Sequence, residues 1–150
     1  MTTSDGVENF EPSDKALRFV LRLLIKHPSM NPDKISERLG MVPQMAHQAG
    51  SNRFTPKGNA LPGLYPDSRW GWSKKIEGKR DCFSEVSALV DSLEKHKDFL
   101  SDISDEGGST EIIVHLAGDA NIGWTMPWQE LSRMARLKID LGIEVFPDFG

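Results

Sequence analysis

Arg69-Trp70-Gly71-Trp72 is the segment of this 150-residue chain best equipped for recognition chemistry. Two indoles spaced two apart on a strand point the same way, and with Arg69 and Lys74 beside them they could stack a base, a sugar or a peptide. Two tryptophans on one strand face are also ordinary core packing. A third arrangement buries one and leaves the other lining a cleft. Trp124 and Trp128 flank a turn and pose the same choice. The candidate binding residues are Arg53, Arg69, Trp70, Trp72, Lys74, His115, Asn121 and Trp124.

The other reactive types offer less. His27, His47, His96 and His115 share no ligand-like spacing, and a lone cysteine excludes an all-cysteine metal site. His115 falls on a strand, where a satisfied core or cleft imidazole is the commoner role. Cys82 sits where a helix should begin, and a helix dipole there favours the thiolate. No histidine is spaced to activate it. The chain has no G-x-S-x-G, P-loop, dinucleotide fingerprint or H-E-x-x-H. No catalytic residue, metal or cofactor is assigned, and a binding module is favoured over an enzyme.

The elements that must position these residues are legible in the apolar periodicity. Leu17, Phe19, Leu21, Leu23 and Ile25 share one parity while Arg18, Arg22 and Lys26 fall on the other, which predicts a half-buried strand. Asn31-Pro32 caps a two-turn helix that stops at Gly40. Residues 41–68 read as a long loop. Arg69–Ile76 alternates again, and Asp81 caps a helix carrying Phe83, Val86, Val90, Leu93 and Leu100. Glu111–Ala117 is apolar on both faces and reads as a central strand. Gly118–Asn121 has hairpin chemistry, with Ile122, Trp124 and Met126 continuing as a strand. Pro127 opens a third helix closed by Gly142, and Ile143–Phe146 is a short final strand. The predicted class is α+β, a mainly antiparallel sheet of about five strands with helices packed on one face, in the order β-α-β-α-β-β-α-β.

Composition bounds the rest. Apolar residues make up 38% of the chain, enough for one buried core. Residues 1–14 hold four acidic side chains and no basic one, which predicts a disordered acidic tail before a single domain over 15–150. That segment lacks the features of a signal peptide, and the apolar stretch 16–25 is too short and too charged to span a bilayer. A cytoplasmic protein without a membrane partner is expected. The net charge of −4 is unevenly spread: residues 53–80 carry seven basic and two acidic side chains, and residues 81–106 two basic and eight acidic. The total argues against a dedicated nucleic-acid binder, but its distribution leaves one basic region.

Several of these features occur together in one family. Asn31-Pro32-Asp33-Lys34-Ile35-Ser36-Glu37-Arg38-Leu39-Gly40, then Pro43 and Gly50, then Trp70-Gly71-Trp72-Ser73, and finally Leu141-Gly142-Ile143-Glu144-Val145 mark the chain. Over about residues 15–147 it resembles the bacterial family called domain of unknown function 4279. The resemblance implies a small cytosolic bacterial α+β protein. That family has no established activity, so no site residue carries over.

Three functions follow as expectations. The first is a protein-binding or regulatory module, immunity-like in one guise, with Arg53, Arg69 and Trp72 exposed and converging. The second is a small-molecule or nucleotide-binding protein, enzymatic or not, with a cleft beside the Trp pair and His115. The third is a weak nucleic-acid binder using the basic segment 53–80. Oligomeric state leaves no mark in the sequence.

Overall fold

The computed structural model describes residues 18–77, 81–117 and 123–146. Its centre is β1 (Arg18–His27), flanked by β5 (Ser68–Glu77) and β6 (Ser109–Ala117), both antiparallel to it. The edges are β2 (Met45–His47) against β5 and β7 (Ile139–Phe146) against β6, giving the order β2-β5-β1-β6-β7. Only β6 and β7 run parallel among the described strand pairs, and a parallel pair needs a long crossover, here carrying helix α4 (Trp128–Arg136). The class is α+β with a mostly antiparallel five-stranded sheet, as the periodicities predict.

Parity explains why the helices pack on one face, although Leu24 and Ile113 on the other are buried among their neighbours. Phe19, Leu21, Leu23 and Ile25 are each at most 2% exposed, and Trp70, Ile76, Ile112 and Val114 join them on the helix side. Helices α1 (Pro32–Leu39), α2 (Cys82–Leu93) and α3 (Lys97–Asp105) contribute Ile35, Leu39, Val86, Val90, Leu93, Leu100 and Ile103 to the same core. Trp70 is wholly buried, and its indole N–H donates to Ser36 Oγ at 2.9 Å, locking α1 onto β5. The helices are pinned to each other by charge. Arg133 on α4 donates to Asp91 and to the Ser87 carbonyl of α2, and to Glu130 of its own helix.

The predicted caps are present. Asn31 Oδ1 accepts from the Asp33 amide and Asp81 Oδ1 from the Phe83 amide, each at 2.9 Å, and Gly40 closes α1 at φ 66°. His27 ends β1 by a means the pattern does not reveal: its Nδ1 accepts the amides of Ser29 and Met30, and its Nε2–H donates to Glu106.

Four local readings change. The stretch 41–68 is not a featureless loop: it holds β2 and the hairpin β3 (Asn52–Phe54) and β4 (Ala60–Leu64), strands too short to display a period. The second helical stretch breaks at a 3-10 turn, Glu94–His96. Residues 123–127 form no strand, although Trp124 and Met126 pack against the core on the alternating pattern that the sequence shows. Helix α4 ends at Arg136 rather than at Gly142, the chain reversing through Lys138 at φ 58°, so β7 starts at Ile139 and Gly142 lies within it. The expected tail 1–14 and the turn 118–121 lie outside the described residues.

Candidate ligand groove on the bare sheet face

The register aligns the second face of the sheet row by row. Lys75 on β5 pairs with Val20 on β1, Val20 with His115 on β6, and His115 with Glu144 on β7. The next row is Ser73, Arg22, Ile113 and Gly142; the one beyond is Gly71, Leu24, Glu111 and Asp140. Paired residues share a face, so this side carries the polar parity of β1 and β5. A groove of about 580 Å³ opens on it, with Arg18, Arg22, Lys75, Met45, His115 and Phe146 among its walls. That volume is the size of an ordinary small-molecule site.

The groove is shaped by a missing side chain. A Cβ at Gly71 would stand 3.3 Å from Met45 Cε and 3.4 Å from Arg22 Nη2, so the Arg22 guanidinium lies over a bare α-carbon. Gln44 fixes the neighbouring rim: its amide donates to the Ser73 carbonyl at 2.9 Å and accepts from the Ser73 N–H at 2.8 Å, imitating a strand partner.

Charge is uneven across the face. Among the described residues no hydrogen bond or ion pair engages the side chains of Arg18, Arg22 or Lys75. Glu77 is the one carboxylate among the groove's walls. On the far side, His115 Nδ1 lies 3.0 Å from Glu144 Oε2, and its ring stacks on Phe146 at 5.8 Å between centroids and 14° between planes. The groove is thus cationic at β1 and β5 and aromatic at β6 and β7.

The residues singled out from sequence divide among four places. His115 lines the groove. Arg53 and Arg69 meet at a corner hollow with His47 and Tyr65, where the two rings stack at 3.6 Å and Arg69 pairs with Asp67 at 3.2 Å. Burial, reinforced by Arg69, lowers the His47 pKa below its usual 6.5. Trp70 is core, while Trp72 and Lys74 border a separate hollow on the helix side with Leu39, Met41 and Leu89. Trp72 therefore does not join Arg53 and Arg69. Trp124 packs between Phe19 and Phe83 at 6.5 and 6.3 Å. Asn121 lies outside the described residues. Arg18, Arg22, Lys75 and Phe146 are not among the residues singled out; the basic parity of β1 and β5 is the signal for the first three, and Phe146 on β7 has none.

Nucleophilic chemistry finds no foothold at Cys82. Burial, and then the Asp81 carboxylate, push its thiol up to about 11, against the pull of the helix dipole. No three metal-ligating side chains gather among the described residues. No described helix is long and apolar enough to cross a membrane.

Fold and groove together define an α+β protein with a one-sided sheet and a basic, part-aromatic hollow on its uncovered face. The chain belongs to the family described as Domain of unknown function (DUF4279), which matches residues 17–146. No curated protein and no solved structure matches it.

Proposed function

We propose that this protein is a small-molecule-binding module whose bare-face groove takes an organic anion. The observation that carries the reading is the set of Arg18, Arg22 and Lys75, unpartnered among described residues, around a hollow of ligand size. An arginine fork laid over Gly71 offers the planar, paired donors that phosphate and carboxylate groups accept. Met45, Val20 and Ala117 supply apolar walls for the rest of the ligand. The roles are binding and orientation.

A thermal-shift panel of organic phosphates and carboxylates tests this reading. A ligand at a hundred times its Kd stabilises the fold by about 2.7 kcal/mol, an easily read rise in Tm. The rise should vanish in Arg22→Ala and persist in Arg53→Ala. No stabilisation by any anion would sink the reading. A cytoplasmic, bacterial setting accompanies it, supported by the family resemblance and the one free, buried cysteine.

A protein partner is the second reading, supported by another surface. Ile143 and Val145 on β7 and Trp128 and Leu131 on α4 are 46–73% exposed, and the outer edge of β7 has no described strand partner. With Asp140 exposed alongside, the chemistry suits an extended strand alternating basic and apolar residues. A Lys-Val hexapeptide should perturb the amides of β7 alone; no perturbation, or one spread over the surface, contradicts it.

A further inference from the structure

Resting on the anion-binding reading, we infer that the groove takes a linear dicarboxylate lying along β5, one carboxylate held by Arg22 over Gly71 and the other by Lys75 with Arg18. The register and one glycine carry this. Gly71, Ser73 and Lys75 alternate with Trp70, Trp72 and Lys74, so they share the bare face. Arg22 pairs with Ser73, yet its guanidinium reaches one row further. Its Nη2 and Nε lie 3.4 and 3.6 Å from the place a Cβ at Gly71 would occupy. The head of Arg22 is therefore turned away from Lys75. Four residues separate Gly71 from Lys75, about 13 Å along an antiparallel strand. The groove has two cationic ends, and they lie along the strand rather than across the sheet.

The charge at each end gives the class of ligand. At the Gly71 end Arg22 is the one cation among the groove's walls, a net of +1. At the other end Arg18 stands one strand across from Lys75 and one row along, and Glu77 is paired with Arg18 in the register. Two cations and one carboxylate again leave +1. One unit at each end matches two carboxylates better than one phosphate dianion. Between the ends the floor is Ser73 on β5 and Val20 on β1, which carry no charge. With Lys75 upright on its strand and about 3 Å taken by the contact at each end, about 7 Å remains between the two carboxylates. An extended chain advances about 1.2 Å per bond, so the fitting diacid has about six carbons.

NMR titration of the full chain with adipate, hexanoate and succinate tests the inference. Adipate should bind about tenfold more tightly than hexanoate, the scale of one hydrogen bond between charged groups. It should exceed succinate similarly, because the carboxylates of succinate are too close together to reach both ends. Lys75→Gln should bring the adipate-to-hexanoate ratio to about one and leave hexanoate unchanged. Arg22→Gln should weaken both acids by about tenfold, since the arginine fork is the end that hexanoate uses. Equal affinity for adipate and hexanoate, succinate as tight as adipate, or a ratio untouched by Lys75→Gln overturns the two-ended ligand. Failure of the three acids while an organic phosphate still stabilises the fold also overturns the dicarboxylate and leaves the anion site standing. Failure of every anion overturns both.

Discussion

The two faces of the sheet differ in where their paired cations lie, Lys74 on the helix side standing without an ion pair among the described residues. On the helix-covered side Arg133 is held by Asp91 and Glu130, and Lys138 by Asp105 at 3.1 Å. On the bare side Arg18, Arg22 and Lys75 stand around a groove with no described partner. A cation that stabilises a fold is paired where it packs. A set of cations left unpaired around an apolar hollow is the feature on which the proposed anion site rests. The same strands supply both faces, so the division between stability and binding runs along residue parity.

That division can be broken most forcefully at Trp70. Trp70→Ala removes a fully buried indole and its bond to Ser36, and should cost about 3–5 kcal/mol in chemical denaturation. A loss below about 1 kcal/mol would mean that the covered face is not the core. The matching change on the other side is Arg22→Ala. Its stability should stay within about 0.5 kcal/mol of the parent while anion affinity falls about tenfold, read by denaturation and calorimetry together.

Gly71→Ala sharpens the contrast further. The added methyl meets Met45 Cε at 3.3 Å and Arg22 Nη2 at 3.4 Å, both at the ends of flexible side chains. The fold should lose less than about 1 kcal/mol, whereas the displaced guanidinium should weaken anion binding several-fold. Unchanged affinity in this variant would dissociate Arg22 from the site. The smallest expected effect is at His47. Its NMR titration midpoint should lie below 6.5, because the folded environment disfavours its charged form. Stability from this group is therefore complete above pH 6.5 and declines as pH falls toward the lowered folded-state midpoint, where the unfolded chain binds the proton more readily. A midpoint above 6.5 would contradict the burial of that ring.

Much of the covered face is legible in sequence because its cause is local. Phe19 to Ile25 alternate with Arg18, Arg22 and Lys26, and Asn31 and Asp81 cap helices through bonds to residues two positions on. The bare face is less legible because its cause is pairing between distant segments. Met45 and Gly71 meet only when β2 adds to β5, and three residues hold too little periodicity to announce a strand. Phe146 becomes a groove wall only through the parallel pairing that sets β7 beside β6 and its own ring on His115. The tryptophans drew notice by type, but parity sends Trp70 and Trp72 to the helix side and the glycine between them to the groove. The informative residue of Trp-Gly-Trp is its glycine.

Heteronuclear NMR of the full chain titrated with phenyl phosphate tests the central claim most directly, since it reports which face the ligand occupies. The amides of Val20, Arg22, Gly71, Ser73 and Ala117 should shift together and saturably, while those of Leu39, Met41 and Leu89 beside the covered-face hollow stay in place. Shifts centred on Leu39, Met41 and Leu89, or on the Arg53–Arg69 corner, would contradict the bare-face groove as the binding site.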